Sequence, residues 1–152
     1  MLDNKERKRV RDIYSKKKSA EKRSAEKNNR KDEDFLREFP DAESFVNWWE
    51  QQYDKQGGKC HYCDTSIDLI ARLIKAGQIG TRKVRKDGER GRCLELERKD
   101  PFGPYDRKNC VLACMYCNND KSNTYGYKDY KEFFGPNRKK HFEWLENKLG
   151  AP

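Results

Sequence analysis

Leu112-Ala113-Cys114-Met115-Tyr116-Cys117-Asn118, LACMYCN in one-letter code, runs an apolar stretch into a Cys-x-x-Cys knuckle. A second knuckle, Lys59-Cys60-His61-Tyr62-Cys63-Asp64, lies upstream. Two such pairs offer four thiolates to one tetrahedral zinc, whose binding free energy adds directly to folding. The composition gives that metal a purpose: of 152 residues 34% are hydrophobic and 40% charged, a thin core for the length. No signal-peptide pattern and no long apolar run is visible, so the chain is expected to be soluble and cytoplasmic, where paired cysteines indicate metal rather than disulfides. A closed four-cysteine site has no open coordination position, so this zinc is read as structural. Cys93 and Cys110 fall outside both knuckles and are expected to be small buried hydrophobes at strand positions.

Charge is distributed unevenly. The formal charge is +9, and residues 1–31 hold 13 Lys or Arg against 5 Asp or Glu, which leaves a nearly neutral remainder. The expected organisation is therefore a basic N-terminal helical arm, residues 1–34, fused to a folded domain, residues 35–152. An arm carrying Lys16, Lys17 and Lys18 would release counterions from a nucleic acid, and without an apolar face it does not suit a membrane. A solvated, solubilising tail is the bland alternative. The arm's apolar cluster is Val10, Ile13 and Tyr14 at helical spacing, and the helix is expected to form on DNA.

After a hinge at Phe39-Pro40, Asp41 can cap a helix whose Phe45, Trp48, Trp49 and Tyr53 recur at three and four, with Gly57-Gly58 to end it. That aromatic stripe reads as core rather than as a base-stacking platform. Ser66 and Gly77 bracket a short helix with Ile67, Ile70 and Ile74 on one side. The next segment is basic, with Arg82, Lys83, Arg85, Lys86, Arg90 and Arg92 around an Asp87-Gly88 turn. It reads either as a two-stranded ribbon for a major groove or as an exposed charged loop. LELE (94–97) and NCVLA (109–113) read as strands about a PFGP turn. A short helix is expected over 118–125, and two terminal helices follow, the second with Phe142, Leu145 and Leu149 at helical spacing.

The run LELERKDPFGPYDRKNCVLACMYCNNDKSN, strand, loop, strand, knuckle and basic helix, resembles the HNH endonuclease family, built on a zinc-pinned ββα-metal motif. The resemblance implies an α+β fold with a ββα-metal core at about residues 93–124 and flanking helices. It matches Glu97 to the metal-binding acid, Arg98 to the position of the histidine base, Asn109 to the loop-supporting Asn, and Asn118 to the metal ligand on the helix. Glu97 is one methylene longer than the usual Asp, and a guanidinium cannot act as a general base. The sequence is similar to a rare-cutting restriction branch of the family, which has an acid-Arg pair, a run ending like LACMYCNNDKSN, and a knuckle tyrosine implicated in the chemistry. Tyr62 matches that tyrosine. That branch's upstream histidine has no counterpart before Cys60.

The resemblance implies a structural Zn2+ and a catalytic Mg2+ or Mn2+ held by Glu97 and Asn118, with Arg98 clamping the phosphate. Tyr62 is the favoured base if Arg98 lowers its pKa from about 10, and His61, near 6.5 untuned, is its rival. Asp100 and Lys121 are read as supporting or phosphate-contacting groups, and His141 as a surface residue. The expected function is site-specific cleavage of double-stranded DNA by a free-standing homing endonuclease of the kind a phage intron encodes. Alternatives are a type II restriction endonuclease and a zinc-stabilised nucleic-acid-binding module without catalysis. A homodimer would explain double-strand cutting. No membrane and no small organic cofactor is expected.

Overall fold

The computed structural model describes residues 2–28, 34–84 and 88–150. Helix α1 (Asn4–Asn28) forms the N-terminal arm and packs as part of the fold. It lies along α3 (Ala42–Lys55), with Val10 and Tyr14 buried. Arg7 clamps the two helices through Glu50 at 2.7 Å and Glu43 at 3.2 Å, and Arg11 reaches Glu43 at 2.7 Å. These pairs are partly exposed and contribute modestly; the two buried side chains carry the docking. Phe39-Pro40 is a packed corner rather than a hinge. After the short helix α2 (Asp34–Glu38), Phe39 is fully buried with its ring 5.0 Å from Phe45, and the Tyr14 hydroxyl donates to the Phe39 and Pro40 carbonyls at 3.2 Å each.

Asp41 caps α3 in a reciprocal capping box with Ser44, and Phe45, Val46, Trp48 and Trp49 are buried, so the aromatic stripe is core. Gly57 and Gly58 take left-handed backbone at φ 61° and 67° and turn the chain into the first knuckle. Helix α4 (Ile67–Lys75) starts on the Ser66 cap and buries Ile67, Ile70 and Ile74 together with Leu69 and Leu73.

Strands β1 (Arg82–Val84) and β2 (Gly88–Arg90) form an antiparallel ribbon in which Val84 pairs with Gly88. Gly88 is thus a strand position and not half of a two-residue turn; Arg85, Lys86 and Asp87 lie outside the described residues. Strands β3 (Glu95–Arg98) and β4 (Cys110–Ala113) pair Glu95 with Ala113 and Glu97 with Val111. Cys110 is buried, and burial pushes its thiol up to about 12, whereas Cys93 precedes β3 and is half-buried.

Helix α5 (Met115–Lys121) begins on the second knuckle, earlier than expected, because the Cys114 sulfur accepts from the Cys117 amide at 3.5 Å and caps it. It ends at Ser122, where φ is 45°. The two expected terminal helices are one continuous segment: α6 (Tyr127–Asp129), a π turn (Tyr130–Phe134) and α7 (Gly135–Leu149). Phe142 and Leu145 are buried, while Leu149 is on the surface.

The π turn brings Gly135 against the first knuckle. A Cβ there would sit 2.2 Å from the Tyr62 carbonyl oxygen, and backbone cannot yield as a side-chain tip can. Gly135→Ala is therefore expected to destabilise by about 2–4 kcal/mol or to prevent folding, at or above the usual cost of overpacking. Gly150→Ala, whose Cβ would meet only the Asn147 carbonyl oxygen at 4.0 Å, should leave the thermal midpoint unchanged. Equal midpoints for the two variants would refute this packing.

Candidate functional site

Cys60, Cys63, Cys114 and Cys117 are all buried, and their sulfur atoms lie within 4.8 Å of one another. A tetrahedral zinc with bonds near 2.3 Å needs sulfurs about 3.8 Å apart, so the cluster fits zinc after slight contraction. His61 N donates to the Leu112 carbonyl at 2.9 Å, so the first knuckle also docks on the free edge of β4. The metal would join a loop and a helix start, and through β4 it would fix the sheet bearing the acidic side chains.

Those side chains line a groove of about 870 Å³ between α1, the β1–β2 ribbon, β3 and α5. Period-two geometry sends Glu95 and Glu97 to the same face of β3, toward α5. Asn118 meets Glu95 rather than Glu97: its Nδ2 donates to Glu95 Oε2 at 2.9 Å. Arg90 holds the same carboxylate, with Nε 2.8 Å from Oε1. Glu97, 8% exposed, accepts from Lys121 Nζ at 2.9 Å and from the Tyr62 hydroxyl at 3.5 Å. Burial raises the Glu97 carboxyl above its ordinary value, while Lys121 pulls it down. Lys121 is fully buried and also donates to the Arg98 and Ser122 carbonyls, so it cannot reach a phosphate; it is the cation that makes a buried Glu97 tolerable.

Arg98 points along the groove, donating to the Gly103 carbonyl at 2.9 Å with its guanidinium 4.3 Å above the Tyr105 ring. It is not the neighbour that would ionise Tyr62. The Tyr62 phenol is 3% exposed and is pushed well up, first by burial and then by Glu97. The geometry makes Tyr62 a hydrogen-bond donor to Glu97, against the expectation that Arg98 activates it. His61 lines a separate cavity with Lys99 and Lys131, its Nε2 3.5 Å from Lys131 Nζ. Burial and then Lys131, Lys99 and Lys55 depress the imidazole to about 4. Asn109 bridges the loop, accepting from the Asp100 amide and donating to the Asp100 and Pro104 carbonyls, all at 2.9 Å. Asp100 accepts from the Phe102 amide within that loop.

The basic residues divide. Lys16, Lys17, Arg82, Arg90 and Arg92 line the groove, whereas Lys18 and Lys83 are exposed away from it, and Arg85 and Lys86 lie outside the described residues. Three contributors were not anticipated. Glu95 had a signal, its position two before Glu97 on one strand face. Tyr105, with Lys17 Nζ 3.9 Å and Arg98 4.3 Å from its ring centre, had none. Arg9, donating to the Leu94 carbonyl at 3.1 Å, depends on the docking of α1.

Two antiparallel strands, a bridging loop and a following helix, pinned by four cysteines, form the ββα-metal arrangement of the HNH fold within an α+β chain. The fold is similar to that of PacI, a rare-cutting HNH restriction endonuclease: the TM-score is 0.56, with 21% sequence identity over 84% of this chain and 78% of that one. No family model matches the sequence, and no curated protein matches it. Among the described residues no helix is long and apolar enough to cross a membrane.

Zinc removal by a strong chelator is expected to unfold the chain and abolish the near-ultraviolet dichroism of the packed Trp48 and Trp49, with about one zinc released per chain. A chelated protein that keeps its tertiary signal would remove zinc from the account. Lys121→Met should cost about 3–5 kcal/mol by leaving Glu97 buried and unpaired, and adding Glu97→Leu should restore most of it. Additive losses in that double-mutant cycle would mean that the pair is not coupled.

Proposed function

We propose that the chain is a divalent-metal-dependent endonuclease that hydrolyses phosphodiester bonds of double-stranded DNA in this groove. The observation that carries the reading is the coincidence, on an HNH fold, of two strand carboxylates and a helix asparagine with a cationic groove. Oxygen donors of this kind suit Mg2+ or Mn2+, and Glu97 and Asn118, with Glu95 as a further donor, are the residues that would hold the ion. When bound, it would neutralise charge on the phosphate and stabilise the leaving oxygen.

The protein's own groups do the rest. Arg98 clamps the phosphate, a planar guanidinium suiting a bidentate contact. Lys121 and Tyr62 both donate to Glu97 Oε1 and hold the carboxylate in place. In this reading Tyr62 acts through Glu97, while His61 stays outside the groove. Asn109 and Asp100 support the loop. Lys16, Lys17, Arg82, Arg90 and Arg92 contact the backbone, with Lys18, Lys83, Arg85 and Lys86 as flanking contacts, and residues 1–34 serve residues 35–152 as the DNA-binding arm.

The basic arm supports a site-specific homing role, phage-encoded and acting on DNA in a bacterial cytoplasm. The likeness to PacI favours restriction instead. Sequencing of cleavage ends separates them: a long site with tolerated mismatches is expected for homing, a short strict palindrome for restriction. Paired cuts on opposite strands would indicate a homodimer.

Plasmid incubated with the zinc-loaded protein should be nicked or linearised in Mg2+ or Mn2+. Arg98→Ala and Glu97→Gln should each slow cleavage by roughly 100-fold or more, the scale of losing a group that stabilises transition-state charge. Tyr62→Phe should cost less, and His61→Ala little. No cleavage under either metal would leave a binding module. Loss of activity in His61→Ala with wild-type rates in Arg98→Ala would reverse the assignment.

A further inference from the structure

Phe102 is 82% exposed, the most exposed large apolar side chain among the described residues. A single exposed apolar residue is ordinary by itself. What distinguishes this one is how it is held and where. The loop from Asp100 to Pro104 is braced from within by Asn109, which fixes the Asp100 and Pro104 carbonyls, and by the Phe102 and Gly103 amides, which donate to Asp100 at 2.9 and 3.2 Å. Pro101 and Pro104 flank the ring and restrict the backbone on both sides. A Cβ on Gly103 would sit 2.8 Å from Asn109 Nδ2, so the inner side of the loop has no room for a side chain. The ring is therefore held outward by a stiff frame.

Phe102 also lines the groove, beside Arg98, whose guanidinium donates to the carbonyl of the next residue, Gly103. A phosphate clamp and an exposed aromatic ring thus share one loop. The other exposed aromatics among the described residues, Tyr125, Phe133, Phe134 and Trp144, do not line the groove; Trp144 lies under Lys148 Nζ at 3.4 Å, and Phe134 stacks on Tyr130. The groove's cationic lining selects a polyanion, and an apolar ring within it suits the stacked bases that a polyanionic duplex offers.

We propose that Phe102 is a wedge that inserts between neighbouring base pairs of the duplex held in the groove. The proposal rests on DNA being the substrate and adds how the protein deforms it. Insertion unstacks one step and bends the duplex there, and the shared loop couples that step to the phosphate under Arg98. Asn109 is then a positioning residue for the wedge.

The test uses the full zinc-loaded chain with no Mg2+ or Mn2+ added, so that strands are not cut. Its probes are duplexes spanning the mapped cleavage position, each with one 2-aminopurine in a flanking step. Wild type should raise the fluorescence several-fold at one step, and Phe102→Tyr should preserve the rise. Phe102→Ala should abolish it and slow cleavage at least 10-fold in Mg2+, while keeping its thermal midpoint and the salt dependence of binding. Bound wild type with flat fluorescence at every step, or an undiminished rise with Phe102→Ala, would overturn the wedge alone. A wild type that cuts no DNA would overturn the nuclease reading and the wedge with it.

Discussion

Four buried cysteines gather two knuckles 54 positions apart in sequence, and the placement of everything else around the groove follows from that cross-link. With barely a third of its residues hydrophobic, the chain has little apolar surface with which to fix a two-stranded sheet. The knuckles compensate from both sides. The first is hydrogen-bonded to β4 through His61 N and is covered by Gly135 of α7; the second starts α5, the helix that carries Asn118 and Lys121 to the acids of β3. A metal there would tie the end of the sheet to the start of the helix that bears Asn118 and Lys121.

On that frame the groove is an electrostatic compromise. Two carboxylates stand on one strand face, each already matched to a cation, Glu95 to Arg90 and Glu97 to Lys121. Pairing spares each acid the cost of bare buried charge, and the surrounding arginines and lysines leave the groove lining net cationic. The N-terminal helix belongs to the same design. Its buried Val10 and Tyr14 dock it on α3, which turns its basic side into a wall of the groove.

What was legible in the sequence was local. Cys-x-x-Cys spacing, the Asp41 cap, the aromatic stripe of α3 and the two short strands all depend on neighbours a few residues apart, and each lies where the pattern put it. What was not legible depends on partners far along the chain. Nothing near Lys121 announces that it is buried on Glu97, 24 positions earlier. The match of Glu97 with Asn118 carried over roles without distances, and the helix turns Asn118 to Glu95 instead. Arg98 as the neighbour of Tyr62 was an expectation without a distance; the tertiary structure buries the phenol against Glu97, and burial first and then the carboxylate raise it rather than activating it. The Phe39-Pro40 corner read as a hinge because the ring that fills it, Phe45, belongs to the next helix.

The central claim of the proposed function is that an ion, distinct from the zinc the four cysteines would hold, is bound by the acids and the asparagine of the groove. Mn2+ binding followed by electron paramagnetic resonance on zinc-loaded protein tests it most directly. The account predicts one Mn2+ site per chain that weakens markedly in Glu97→Gln and in Asn118→Ala, with one zinc retained throughout. Mn2+ binding that is unchanged in both variants, or that appears only as zinc is lost, would contradict it.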